Sequence, residues 1–383
     1  MKENIYIEVN HKVLVWARES LAITRNQASE KTGITAKRLV QFEEGEKQPT
    51  LDELKEFSKT YKRTIATLLL AKPPKEKPLP TDRRTIDSKD LGNFHEKTIM
   101  AVRKARALAQ SFVELRQELG IDIPKFSLSA SIQEQPQNVA AKIRKYLNLD
   151  ELREIESINH ALEAYIEKVE SLGVAIFQLS LTQDKLRGFS IVDDVMPILG
   201  IKRGGEQATA KIFTLFHELG HILLNEGGLC DLSEKTNIEI EKWCNAFSAE
   251  VLIPTSELLK MEVVLEQKHS NNKIWAKKDL VELGNYFHVG PLAILRSLLE
   301  NKLTTPVFYK EKHQAWNKPQ FGRAKHPEGK NIAKETIREK GRTYIWLAFN
   351  AYDQNRINLK DLSDFLGVRL SYIQKTRQLL TSA

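Results

Sequence analysis

The chain has 383 residues, a formal net charge of +8, 41% hydrophobic and 28% charged residues, which fits a soluble globular protein of two or three domains with sizeable cores. No apolar run approaches the ~20 residues of a membrane helix, and no signal peptide opens the sequence. Only two cysteines, Cys230 and Cys244, occur, without C-x-x-C spacing, so free thiols in a reducing, cytoplasmic setting are expected.

Residues 13–21 read as a helix, Thr24 caps the next one, and Gly33 ends it before Ile34 and Thr35 start a third. Small Ala28 falls where two helices must touch, and Ile34, Leu39 and Phe42 form a buried face. Further helices are expected at 51–61 and 64–70, completing a compact all-α unit over residues 1–71. This run resembles the XRE-type helix-turn-helix domain of phage repressors. The resemblance implies double-stranded DNA as a partner, with Thr35, Ala36, Lys37, Arg38 and Gln41 on the exposed face of the recognition helix. It also implies homodimerisation, which such domains commonly need for tight operator binding. Arg25 stands where the family usually has glutamine, so its expected contact is a phosphate or a guanine. The alternative is a protein-binding helical module with no operator.

The composition then changes to Lys72-Pro73-Pro74-Lys75-Glu76-Lys77-Pro78-Leu79-Pro80, a semi-rigid spacer that places a linker at 72–90. Apolar residues recur at helical spacing over 95–119 and 138–172, giving a helical connecting region at 91–172. Short β-like segments follow at 174–179, 189–193 and 197–202, a small sheet of the kind that clamps an extended peptide beside a catalytic helix.

Gly204 and Gly205 break the chain before Phe213-Thr214-Leu215-Phe216-His217-Glu218-Leu219-Gly220-His221-Ile222-Leu223-Leu224, an H-E-x-x-H motif in an apolar helical run. Residues four apart share one helix face, so His217 and His221 present two imidazoles to a single Zn²⁺ while Glu218 reaches a water on it. A third ligand has to come from a second element, and Glu241 is the best candidate. It opens a helix-like segment, stopped by Pro254, that a loop with Gly227 and Gly228 turns back antiparallel to the first. Asn245, one turn on, is placed to hold a histidine of the first helix through a hydrogen bond.

Residues 213–224, Glu241, Asn245-Ala246-Phe247, Ala249 and Leu252-Ile253-Pro254 resemble the ImmA/IrrE family of zinc metallopeptidases, with Cys244 and Ser248 in place of usual alanines. The resemblance implies His217, His221 and Glu241 as zinc ligands and Glu218 as general base. It further implies a regulatory protein as substrate, such as a DNA-binding repressor controlling mobile-element, stress or toxin-antitoxin genes, with self-cleavage as a variant. The competing readings are a zinc-binding transcription regulator that cleaves nothing and a toxin-antitoxin component acting by binding.

This metallopeptidase domain is assigned to 173–300, and His288 near its end is a candidate oxyanion stabiliser. Helices are expected at 257–268, 279–287, 291–299, 332–352 and 359–380, and residues 280–290 and 362–368 look like degenerate helix-turn-helix units that serve as ordinary packing elements. Residues 301–383 form a basic C-terminal region. Between 310 and 345, ten Lys and Arg stand against four Asp and Glu, with Trp316, Phe321 and Tyr344 among them; a solvated surface is the simpler reading and a nucleic-acid track the other. The expected fold class is therefore mostly α and multidomain: an all-α N-terminal domain, a central α+β zincin-like domain with a small sheet, and a helical C-terminal region.

Overall fold

The computed structural model describes residues 5–77, 79, 81–82, 95–182, 186–230, 239–269, 273–316 and 331–381. The chain divides into two compact units, Met1–Leu79 with Ser88–Met100 and Pro80–Asp87 with Ala101–Ala383. Of the proline-rich spacer, Pro78 and Pro80 lie outside the described residues, as do residues 317–330 with Phe321.

In the first unit, local signals account for the helices. Thr24 Oγ1 accepts from the Gln27 amide while Gln27 Oε1 accepts from the Thr24 amide, at 3.2 and 2.8 Å. That reciprocal capping box starts α2 (Arg25–Thr32), and Gly33 ends it at a left-handed φ of 72°. Thr35 then caps α3 (Ala36–Glu43). With α1 (His11–Glu19), α4 (Leu51–Tyr61) and α5 (Ile65–Leu68), these helices enclose a core of Leu14, Ala17, Ala28, Leu39, Phe42 and Phe57. Phe57 stacks on Tyr61 and meets the edge of Phe42.

α6 (Glu96–Glu118) begins in the first unit and belongs to the second from Ala101 on, where α7 (Pro136–Leu147), a 3-10 turn at Leu149–Glu154 and α8 (Ile158–Glu170) follow it. Within the helical region expected over 138–172, Asn148, at φ 50°, ends α7 and separates it from α8. Such a break keeps the apolar face turned inward, which is why periodicity does not register it.

The sheet has five short strands, β1 (Thr81–Asp82), β2 (Ala175–Leu179), β3 (Gly188–Ile191), β4 (Ile198–Lys202) and β5 (Gly228–Cys230), in the order β1-β5-β3-β4-β2. β2 runs parallel to β4, β3 is antiparallel to both β4 and β5, and β1 is parallel to β5. The three expected segments are β2, β3 and β4. β1 and β5, two and three residues long, carry too few side chains to show an alternation. Their presence makes β3 an interior strand.

α9 (Ala208–Leu223) crosses β3 and β4, and α10 (Glu239–Leu252) lies on α9 and α7. Lys211, buried in the first turn of α9, donates to Gln178 Oε1 at 3.0 Å and to the Arg203 carbonyl at 2.6 Å, tying the helix to β2 and to the end of β4. Beyond Pro254 the chain is helical: α11 (Thr255–Leu258), α12 (Glu262–His269), α13 (Lys277–Tyr286), α14 (Pro291–Glu300), α15 (Pro306–Trp316), α16 (Ile332–Lys340), α17 (Arg342–Asp353), α18 (Leu359–Leu366) and α19 (Leu370–Thr381). Gly341, at φ 83°, divides the expected 332–352 helix into α16 and α17, a turn that a side chain would strain. A mostly α chain with an N-terminal helix-turn-helix unit and one small sheet is the fold class expected.

The C-terminal helices are tied to the sheet layer through a buried acid. Thr343 Oγ1 donates to Glu170 Oε2 at 2.5 Å, from the first turn of α17 to the last residue of α8. Burial pushes the Glu170 carboxyl up to about 8; Thr343 opposes this, the Glu167 charge reinforces it, and Arg116 opposes it. The folded chain therefore keeps this proton where the unfolded chain, near 4.5, has lost it. Stability contributed at low pH is lost as pH rises from 4.5 to about 8, at about 1.4 kcal/mol per unit of displacement. Glu170→Gln, which retains the acceptor, should flatten this dependence and be more stable than the parent chain at pH 8. Urea denaturation at pH 5 and pH 8 measures it, and parallel pH profiles for the two chains would refute the assignment.

Candidate functional site

The metal-motif helix is apolar on nearly every face because it is enclosed on every side. Ile212, Leu215, Phe216, Leu219, Ile222 and Leu223 are all buried; Phe216 meets the edge of Tyr165 at 5.5 Å. Such a helix has no solvated side on which to leave polar groups, so each one it carries needs a local reason.

His217, Glu218 and His221 are each 0% exposed and Glu241, from α10, is 2% exposed. His217 Nε2 lies 3.2 Å from Glu241 Oε2, His221 Nε2 lies 3.3 Å from Glu241 Oε1, and the two Nε2 atoms are 3.2 Å apart. One ligand atom from each residue falls within 4.8 Å of the others. Burial would raise the Glu241 carboxyl, but the hydrogen bonds and charges of His217 and His221 outweigh it and hold the group well below the usual carboxylate range. Two imidazoles and a carboxylate, facing one point with the same ring nitrogens, form a donor set compatible with a metal ion.

Two helices reach this arrangement because their backbones approach closely. A Cβ on Gly220 would stand 3.1 Å from Cys244 Sγ and 3.3 Å from Phe247, so the glycine between the histidines admits α10 to the distance Glu241 requires. Ser248 Oγ donates to the Phe213 carbonyl at 2.8 Å, a second tie between the helices. At the far end of α10, Arg144 and Arg153 donate to the carbonyls of Val251 and Leu252 at 2.5 and 2.8 Å, and both meet Glu257 at 3.3 Å. Cations on the last carbonyls of a helix satisfy acceptors that have no partner within it. Cys244 and Ser248, where the resembled family usually has alanines, are both buried in this crossing. The serine's cross-helix bond and the arginine pair carry no local sequence signal.

Glu218 faces β3. A Cβ on Gly188 would lie 2.7 Å from Glu218 Oε1 and equally close to Thr214 Cγ2, so the strand backbone itself forms the wall behind the carboxylate. Asn245 sits half-buried one turn after Glu241. It makes no side-chain hydrogen bond among the described residues, and His217 Nδ1, itself buried, receives none. His288 is 1% exposed and in a left-handed conformation, φ 56°. Its Nε2 faces the Ile155 carbonyl at 2.7 Å and its Nδ1 the Tyr165 hydroxyl at 3.3 Å. Both ring nitrogens are thus engaged within the core between α8 and α13, and burial lowers its pKa. Beside α9 and α10 a cavity of about 580 Å³ is lined by Ala130, Ser131, Leu224, Glu226, Glu239 and Ile240; the His217, His221 and Glu241 side chains are not part of its wall.

In the first unit, Thr35 accepts from the Arg38 amide at 3.4 Å, Lys37 is exposed, and Ala36 and Gln41 are half-buried. The two arginines expected to reach DNA each meet a carboxylate: Arg25 Nε lies 2.7 Å from Glu43, and Arg38 pairs with Glu53 through two nitrogens while lying over the Phe42 ring. Glu43 also holds Arg18 at 2.6 Å, with both side chains buried. Sequence spacing does not show these pairs, because each partner comes from another helix.

Gly188→Ala should force the Glu218 carboxylate and Thr214 to move, costing about 1–3 kcal/mol as an overpacked site does. Thermal unfolding checks that cost; an unchanged melting temperature would show that the strand yields instead. Arg18→Ala, leaving Glu43 buried beside Arg25 alone, should destabilise the first unit by about 3–5 kcal/mol, measured by denaturant unfolding of the full chain.

Residues 14–68 match the family model described as helix-turn-helix, and residues 169–299 match that of the IrrE N-terminal-like domain, a peptidase family. Among curated proteins, none matches the chain. The chain therefore carries a DNA-binding type of helix-turn-helix domain ahead of a metallopeptidase-type, IrrE N-terminal-like domain.

Proposed function

We propose that this protein is a zinc-dependent endopeptidase that hydrolyses a peptide bond in a regulatory protein, such as a DNA-bound repressor, or in itself. The observation that carries the reading is the Glu241 carboxylate lying between the Nε2 atoms of His217 and His221, at 3.2 and 3.3 Å, inside a buried site with Glu218 next in sequence.

On this reading His217, His221 and Glu241 would hold Zn²⁺. Bound zinc supplies a Lewis acid that polarises the scissile carbonyl and acidifies a water to a pKa of about 7. Glu218 would serve as the general base, taking a proton from the attacking water and passing it to the leaving amine. The wall at Gly188 keeps its carboxylate in place, and exclusion of bulk water strengthens each charge interaction at the centre.

In this proposal residues 1–71 are the DNA-binding domain, residues 72–90 the linker, and residues 173–300 the peptidase. Lys37 and Gln41 on α3 are its DNA contacts, and Arg25 and Arg38 exchange a carboxylate for a phosphate or base where they take part. Joining the two domains in one chain raises the peptidase's effective concentration at a repressor already on DNA. No helix among the described residues is long and apolar enough to cross a membrane.

Elemental analysis of the purified chain should find about one zinc, lost in His217→Ala and in Glu241→Ala. Glu218→Gln should keep the metal and lose about 10²–10⁴-fold in hydrolysis, the usual contribution of a general base. The readout is cleavage of a candidate repressor, or of the chain itself, followed by mass spectrometry. A folded chain that takes up no zinc on reconstitution, or a Glu218→Gln variant as active as its parent, would refute the proposal.

A further inference from the structure

The C-terminal helices α18 and α19 repeat α2 and α3 position for position. Asn358 and Asp361 form a reciprocal capping box at the start of α18, as Thr24 and Gln27 do for α2, and both helices have eight residues. Gly367, at φ 65°, ends α18 as Gly33, at φ 72°, ends α2. The fourth helical residue is buried in each, Leu362 and Ala28. The fifth is a serine whose Oγ donates five residues on, Ser363 to the Val368 carbonyl and Ser29 to the Ile34 carbonyl, both at 2.6 Å. Val368 and Ile34 follow the glycine and are buried, and the next inward positions of the second helix, Ile373 and Thr376, correspond to Leu39 and Phe42.

Single items of this pattern recur elsewhere. α4 has its own capping box, and Ser58 donates to the Arg63 carbonyl at 2.6 Å, but the helix that follows, α5, has only four residues. The other degenerate unit, α13 with α14, turns through buried His288 and puts Leu280, Leu283, Ile294 and Leu298 into the core. Among the described residues, only α18 with α19 joins the whole register to a long second helix with an open face, twelve residues in all.

That face suits a polyanion. Arg369, Ser371, Gln374, Lys375 and Gln378 are exposed, at the positions of Thr35, Lys37, Val40, Gln41 and Glu44 in α3. No Asp or Glu occurs after Asp364. Arg356 adds an exposed cation at the turn before α18, while Lys360 meets Asp364 at 3.2 Å and Arg377 is taken up by Asp353. Leu370, 56% exposed, stands where α3 has Ala36, the place from which an apolar side chain meets a thymine methyl.

We infer that α18 and α19 form a second DNA-reading helix-turn-helix, with α19 entering the major groove of a duplex through Arg369, Ser371, Gln374 and Lys375. Phosphate contacts from the basic pair dominate affinity, and each released counterion adds to the salt dependence.

The test uses the full chain and a pool of random-sequence 30-base-pair duplexes carrying bromodeoxyuridine. Photo-cross-linking at physiological salt should label peptides from residues 367–381 as well as from α3, and should still label them in a Lys37→Glu chain. R369E/K375E should abolish the 367–381 cross-links, weaken binding by anisotropy at least tenfold in the Lys37→Glu background, and lower the slope of log K against log salt by about 1.8. The charge-conserving R369K/K375R should bind within about threefold of its parent, and circular dichroism should show all variants folded, since both side chains are exposed. A matched reversal at exposed Lys277 and Lys278 should leave binding within about twofold. Absence of cross-links at 367–381, or an equal loss in the matched reversal, would overturn the inference. So would a change in self-association by sedimentation with duplex binding intact, which would make the face a protein contact.

Discussion

The close crossing of α10 over α9 is the contact on which the rest of the second unit depends. Gly220 leaves no Cβ between the two histidines, so Cys244 and Phe247 seat directly on the helix, and Glu241 arrives with one carboxylate oxygen for each imidazole. A larger residue at 220 or 244 would move a backbone, and a donor set that depends on angstrom-scale convergence would open. The remainder of the layer keeps that crossing rigid. Lys211 anchors one end of α9 to the sheet, and Arg144 and Arg153 hold the last carbonyls of α10.

Burial sets the chemistry as well as the stability of the centre. Four ionisable side chains with almost no exposure are costly unless they serve one another. His217, His221 and Glu241 do so through the contacts between them. Glu218 lies instead against the backbone of β3, where the absence of a side chain at Gly188 makes its room. The same enclosed setting that makes an unpaired charge expensive strengthens an aligned one. The sheet takes part through one strand above all, and β5 and β1 lie along the edge of β3 opposite β4.

The first unit shows a different balance between stability and recognition. Glu43, at the end of α3, binds Arg18 in the core and Arg25 from α2, and Glu53 holds Arg38. The helix pair is thus fixed by ion pairs whose desolvation is shared among several hydrogen bonds. The cations available to a duplex without breaking a pair are fewer than the spacing of basic residues in the sequence suggests, Lys37 being the clearest.

The sequence by itself determined a good deal. Capping residues and left-handed glycines act on their own few neighbours, so α2, α3 and α4 were legible nearly to the residue. The His217-Glu218-His221 spacing is a property of one helix, and the apolar run around it announced burial. The pairing of Glu241 with that motif followed from its place at the head of the next helix, before Pro254. What only the tertiary structure decided was whatever needs two distant segments. The break at Asn148, the strands β1 and β5, the carboxylates that hold Arg25 and Arg38, and the engagement of His288 by Tyr165 and Ile155 all depend on partners far away in the chain. Local propensity acts over a few residues, whereas packing selects among conformations by contacts that sequence distance does not encode.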